Sequence, residues 1–277
     1  MTQAKEEYID GKSGRLFVRS WRPTTAPKAI VAICPGFNSH SGYFSWVADQ
    51  LVSDGYAVYA VDLRGRGKSD GERFYVKDIS EYEADVDAMV SLAKSREPGL
   101  QTCLMGHSAG GVTAVAYTLD HQKELDGLIC YSFAYKVPAP DFALAALKGL
   151  AHVAPHAHVL ALKNSFFSRD PAAVKYMDED PLIAHENQPT STVAALAHAD
   201  ERIGKAFGQI TLPVLIMHGK SDQATKWQGS QEFYDHAGAK DKTLKLYDGY
   251  YHDLLNDSGK ETPMRDIQQW LAAHVNK

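Results

Sequence analysis

The stretch Cys103-Leu104-Met105-Gly106-His107-Ser108-Ala109-Gly110-Gly111 constrains this chain more than any other. A short apolar run ends in Gly-x-Ser-x-Gly, and apolar residues at helical spacing follow (Val112, Val115, Ala116, Leu119). Strand, sharp turn and helix in that order hold a serine hydroxyl at the tip of a strained turn. The turn leaves no room for side chains two residues to either side of the serine, which accounts for Gly106 and Gly110. The first amides of the helix then face any negative charge that develops there. Gly67-Lys68-Ser69-Asp70-Gly71 repeats the pattern, but no strand runs directly into it and no helical spacing leaves it. Its Asp70 also sets a carboxylate where an oxyanion needs stabilising. Ser108 is therefore the candidate nucleophile.

Around this stretch the chain alternates strand and helix. Arg15–Trp21 alternates polar and apolar residues, as a half-buried strand does. Ala29–Cys34 and Tyr56–Leu63 are continuous apolar runs, the mark of strands covered on both faces. Tyr43–Val52 and Ile79–Arg96 have helical spacing. In the second of these, Ser80 and Glu83 are placed for a capping box, and its acidic residues read as a solvated face. Gly127–Ser132 is the next strand. This rhythm predicts an α/β fold with a mostly parallel sheet and helices on both faces. It breaks between Phe133 and Gly208, where no strand is evident and helix-like stretches (Asp141–Leu150, His152–Leu162, Ser191–Ala206) alternate with prolines. Residues 133–208 therefore read as a helical cap over a core formed by 1–132 and 209–277. The rhythm resumes with Leu212–Met217, a helix over Gln228–His236, a strand over Thr243–Tyr247 and a closing helix over Pro263–Asn276.

Composition closes off several functions. Net charge is −5 with the basic residues scattered, so there is no basic face for nucleic acid. Cys34, Cys103 and Cys130 each lie in or at the end of a β-like apolar run, and read as buried free thiols of a reducing compartment. None has the turn or helix start that activates a cysteine. The N-terminal residues, polar and acidic, lack the apolar core of a signal peptide, and Phe142–Leu162 is too broken by charge, histidine and proline to span a membrane. A cytoplasmic protein is expected. A phosphate-binding P-loop needs glycine where Asp62 stands, and a dinucleotide fingerprint needs it at Asp70, with Gly71 one residue late.

A serine hydroxyl needs a base, and the base an orienting acid. In an open parallel sheet such groups converge on loops at the carboxyl ends of strands. Asp222, in His218-Gly219-Lys220-Ser221-Asp222, and His252, in Asp248-Gly249-Tyr250-Tyr251-His252, occupy two such loops. The order Ser108, Asp222, His252 is that of α/β-hydrolases and differs from the chymotrypsin and subtilisin orders. Among the rivals, His107 projects away from its neighbour Ser108, His218 lies in a strand end, and Asp248 and Asp253 stand too near His252 to reach round to its Nδ1. The oxyanion hole is assigned to the backbone amides of Ala109 and of Phe37, in the loop after the Ala29–Cys34 strand. His152 and His156 have i, i+4 spacing, but Pro155 interrupts that helix and no carboxylate partner is evident, so no metal site is expected. The apolar stripe Leu144, Leu147, Leu150, Val153 either packs on the core or meets micelles or membrane and guides an acyl chain.

These residues together resemble the monoacylglycerol lipase and lysophospholipase family of α/β-hydrolases, also called serine aminopeptidase-like, over nearly the whole chain. The landmarks are Phe37-Asn38-Ser39-His40-Ser41-Gly42-Tyr43-Phe44, Asp62-x-Arg64-Gly65-x-Gly67-x-Ser69, Gly106-His107-Ser108-Ala109-Gly110-Gly111, Asp180-Pro181-Leu182, His218-Gly219-x-x-Asp222, and Lys242–Tyr247 leading to His252. The resemblance implies an α/β-hydrolase fold with an eight-stranded sheet, the cap following the sixth strand. It implies hydrolysis of lipid-like or small carboxylic esters with no metal or other cofactor. Pro35-Gly36 stands where the family usually has His-Gly. Proline donates no backbone hydrogen bond, but the Phe37 amide survives. Serine at 108 argues against the epoxide hydrolases and haloalkane dehalogenases of this fold, which use aspartate, and the His-Gly-Gly of hormone-sensitive-lipase-like esterases is absent. An amidase or aminopeptidase, an acyltransferase or perhydrolase, and a non-catalytic ligand-binding protein are the remaining alternatives.

Overall fold

The computed structural model describes residues 3–138 and 140–275; for Asp141 and Leu144 it describes the backbone alone. Met1, Thr2, the Leu144 side chain of the apolar stripe and Asn276 of the closing helix thus lie outside the described residues. Strands β1 (Lys5–Gly11) and β2 (Gly14–Trp21) form an antiparallel hairpin. Then come β3 (Ile30–Cys34), α1 (Ser45–Ser53), β4 (Ala57–Val61), α2 (Ser80–Arg96), β5 (Thr102–His107), α3 (Ala109–His121) and β6 (Gly127–Tyr131). The insertion carries α4 (Asp141–Ala151), β7 (His158–Leu160), α5 (Pro171–Glu179), β8 (Gln188–Pro189) and α6 (Thr190–Gly204). The chain ends with β9 (Val214–Gly219), α7 (Trp227–His236), β10 (Lys242–Tyr247) and α8 (Glu261–His274).

Eight strands make one sheet in the order β1-β2-β4-β3-β5-β6-β9-β10, parallel from β4 onward. The apolar runs read as doubly covered strands are so covered. Ile30, Ala32 and Cys34 face one core with Val86 and Met89 of α2, Val112 and Val115 of α3, and Phe233 of α7. Val31 and Ile33 face the other, with Val47 and Leu51 of α1 and Ile267 and Trp270 of α8. Alternation along the strand sorts them, since neighbouring side chains point to opposite faces. With the insertion after the sixth strand, this is the α/β-hydrolase fold.

Four local expectations are corrected. Residues 133–208 do contain strand: β7 pairs antiparallel with β8, His158 opposite Pro189 and Leu160 opposite Gln188. A helix over His152–Leu162 is not formed. Pro155 lacks an amide hydrogen and pushes its predecessor out of helical geometry, so the chain turns after Ala151 and enters β7. The Ser80–Glu83 capping box is also absent; the Ser80 amide bonds Asp78 Oδ1 instead. Nor is the acidic side of α2 all solvated. Asp85 is fully buried against Arg64, and Glu83 is buried against Arg202. Charges that look outward-facing in sequence thus meet tertiary partners, Arg64 in the loop after β4 and Arg202 of α6.

In the insertion, α6 packs on α3 and α4. Leu147 of the apolar stripe is half-buried and Leu150 exposed, while Val153 and the neighbouring Phe142 are 80% and 77% exposed. Among the described residues no helix is long and apolar enough to cross a membrane.

Candidate active site

β5 ends at His107 and α3 begins at Ala109, so Ser108 alone makes the turn, with φ 57° and ψ −122°. A non-glycine residue at positive φ is strained, and such strain persists only where its surroundings enforce it. They do here. A Cβ on Gly106 would come within 2.6 Å of the Gly110 carbonyl oxygen, and one on Gly110 within 2.3 Å of the Cys34 and Pro35 oxygens. The loop after β3 also seats directly on the serine: a Cβ on Gly36 would lie 2.7 Å from Ser108 Cβ and 3.3 Å from its Oγ. Phe37, next in that loop, and Ala109 are both buried. The second Gly-x-Ser-x-Gly serine has a different setting. Ser69 Oγ accepts the Phe17 amide at 2.8 Å and donates to the Asp62 carbonyl, tying β2 to the loop after β4.

The structure brings the three distant residues together. His252 Nε2 is 2.8 Å from Ser108 Oγ, and its Nδ1 is 2.7 Å from Asp222 Oδ2. A carboxylate accepts only, so Nδ1 carries the hydrogen and the Nε2 lone pair faces the hydroxyl. Ser108 is 4% exposed and His252 is fully buried. The His252 carbonyl accepts from Ser132 Oγ at the end of β6, and the Phe167 ring from the insertion meets the imidazole edge-on at 4.9 Å. The arrangement can move a proton from hydroxyl to imidazole while a buried carboxylate holds the ring's orientation.

Around Asp222 the structure adds residues that sequence reasoning passed over. Oδ1 accepts the amides of Ala224 and Thr225 at 2.7 and 2.9 Å. Oδ2 accepts from Thr225 Oγ1 at 2.7 Å and from His218 Nε2 at 2.9 Å, besides His252. His218 Nδ1 in turn accepts from Ser230 Oγ at 2.7 Å, which fixes its tautomer. His218 thus has a direct contact to the candidate acid; its i, i+4 spacing to Asp222 across a turn was the available signal. Burial tends to raise the Asp222 carboxyl, but the charge of His252 and the hydrogen bonds from both imidazoles outweigh it and hold the group well below the ordinary carboxylate range. Burial depresses His218, against the pull of Asp222, and pushes His107 well below the usual imidazole value. His107 stacks on Tyr131 with ring centroids 4.5 Å apart. Asp248 pairs with Lys220 on the surface, and Asp253 is buried beside Asn256.

His152, His156 and His158 direct their Nδ1 atoms to three separate partners, the Lys148 carbonyl, Glu72 and the Asn187 carbonyl. The one group among the described residues with metal-compatible spacing is Asp87, His121 and Glu124. It sits at the far end of α3, about 20 Å along the helix from Ser108. Its His121 ring stacks on Tyr117, whose hydroxyl bonds Asp87.

A family profile described as serine aminopeptidase, S33, matches residues 25–259, a span that takes in Ser108, Asp222 and His252. The chain belongs to this family. Likenesses to individual proteins over most of the chain agree with this. A monoacylglycerol lipase of Mycolicibacterium smegmatis is 29% identical over 99% of this chain and 99% of its own. Human monoglyceride lipase is 31% identical over 93% of this chain and 86% of its own. Among solved structures, the Paleococcus ferrophilus monoacylglycerol lipase matches with a TM-score of 0.85 at 30% identity, covering 94% of this chain and 99% of that one.

Proposed function

We propose that this chain is a serine hydrolase of carboxylic esters, acting on monoacylglycerols, lysophospholipids or small acyl esters through an acyl-enzyme on Ser108. One observation carries the reading: a single buried imidazole bridges the Ser108 hydroxyl and the Asp222 carboxylate. The names of the lipase relatives support an ester as substrate. Residues 133–208 form the cap, and 1–132 with 209–277 the core. The outward Phe142 and Val153 of the cap suit brief contact with a micelle or membrane surface. Three buried, unpaired cysteines suit the cytoplasm.

In this mechanism His252 Nε2 takes the Ser108 proton as Oγ bonds to the acyl carbon. The carbonyl electron pair moves to oxygen, where the Phe37 and Ala109 amides meet the charge. Collapse of this intermediate breaks the bond to the alcohol, which leaves with the proton from His252. Water then repeats the sequence on the acyl-enzyme, releasing acid and restoring the serine. Asp222 stays ionised throughout and stabilises the imidazolium.

The test is labelling with a fluorophosphonate, beside turnover of p-nitrophenyl esters of graded chain length, monoacylglycerols, lysophospholipids and matched amides. One label per chain, loss of label and turnover in Ser108→Ala, and esters cleaved faster than amides are the expected results. Labelling that persists in Ser108→Ala removes the serine; faster amide cleavage replaces the ester reading with a peptidase one.

A further inference from the structure

The loop that carries Phe37 is gripped from outside the core. Asn38, the next residue, sits at φ +49°. Its backbone amide donates to Glu186 Oε1 at 2.9 Å. Its side-chain amide donates to the Leu162 carbonyl at 3.2 Å and to Asn164 Oδ1 at 2.8 Å. All three acceptors belong to the insertion, and they lie just beyond the paired strands: Leu162 and Asn164 follow β7, and Glu186 precedes β8. The short ladder therefore closes on Asn38 like two jaws.

Glu186 is itself held. Its side chain and that of Arg66 are 1% and 2% exposed and form a buried ion pair. Gln188 Nε2 donates to the same Glu186 oxygen, and Arg66 reaches Gln188 Oε1 at 2.7 Å and the Tyr82 hydroxyl at 2.9 Å. The guanidinium also lies 4.2 Å from the centre of the Phe37 ring. An isolated buried pair is a weak source of stability, because desolvating both charges offsets their attraction. A pair that also stacks on Phe37 and accepts the amide of Asn38 has another use. It holds the side chain of the residue that carries the donor and the amide of the residue after it, and donors contribute most to a transition state when they need no reorganisation.

From this geometry we infer that Glu186, backed by Arg66, is a positioning residue of the insertion that sets the oxyanion donor at Phe37. The insertion would then complete the reaction centre besides covering it. The inference rests on the serine-hydrolase reading above. The experiment compares wild type, the paired replacement Arg66→Met/Glu186→Leu, which removes both buried charges together, and Asn38→Ala, which cuts the other jaw and leaves the ion pair intact. Each is measured for kcat and KM on a p-nitrophenyl ester, for inhibition by an alkylboronic acid, which forms a tetrahedral anionic adduct on the serine, and for melting temperature. The expected result for the paired replacement is a fall in kcat of about tenfold or more, KM within about twofold, and boronate affinity falling by the same factor as kcat. Glu186→Gln, which keeps an acceptor for the Asn38 amide, should recover most of both. A folded paired variant with wild-type kcat and boronate affinity overturns the inference, as does a loss confined to KM; wild-type behaviour of Asn38→Ala alone supports it, because that variant keeps the backbone amide bond to Glu186. Ser108→Ala, run alongside, separates the two readings: turnover surviving there discredits the serine mechanism itself, whereas failure of the positioning role alone leaves Ser108→Ala inactive.

Discussion

One carboxylate oxygen, Asp222 Oδ2, serves two imidazoles and a threonine hydroxyl. An amide at this position would turn hydrogens toward donors, and His252 would lose the acceptor that keeps its Nε2 free for Ser108. Asp222→Asn should therefore lower kcat by about 10⁴-fold with fluorophosphonate labelling slowed in step, measured by stopped assay at neutral pH. The same residue links stability to pH. Its carboxyl is depressed in the fold, so the stabilisation is fully present above the unfolded carboxylate value and is lost as pH falls through the lower folded one. The gap in melting temperature between wild type and Asp222→Asn should thus be widest near neutrality and shrink below about pH 4. Ser108, Asp222 and His252 were legible as candidates because each lies in the turn or loop that follows a strand, plain from the apolar runs of β5 and β9 and from Leu244 and Leu246 alternating with lysine and threonine in β10. His218 was discounted as a strand-end residue, since a string of letters does not show that the strand's last turn aims its ring back at position 222.

Among elements, the readable ones were those whose burial repeats. The two-faced strands and the helices flanking them declare themselves over five or more residues. β7 and β8 span three and two residues, too few for any period, and a proline stands in β8. Glu186 was illegible for a related reason: its partner amide lies 148 residues away. Helix α6 carries a liability of its own. Asp200 Oδ1 is buried with no hydrogen-bond partner, and burial, with the nearby Glu201 charge, pushes its carboxyl well above the ordinary range. A group raised in the fold favours folding while protonated and loses that contribution as pH rises from the unfolded value through the folded one. Asp200→Asn should raise the melting temperature at pH 8, with the gain fading toward pH 4, as followed by calorimetry across that range.

At the scale of the molecule, one sheet separates two apolar cores, and all three cysteines lie in its central strands: Cys34 in β3, Cys103 in β5 and Cys130 in β6. Each is fully buried, and burial pushes each thiol well above its ordinary value. A thiol-reactive chromogenic disulfide should therefore titrate none of them in the native protein and all three in guanidinium. Fast native reaction of any one would mean that the sheet opens locally. The chain also writes the same five-residue signature twice, and the fold tells the copies apart through what each oxygen is already doing. The hydroxyl at 69 has spent its donor and one acceptor site on main-chain groups, as a rivet joining two segments. The hydroxyl at 108 faces a ring that can take its hydrogen away. An electrophile offered to both should find only one of them reactive, so surveys of covalent ligandability do better to weigh a hydroxyl's existing commitments than the letters around it.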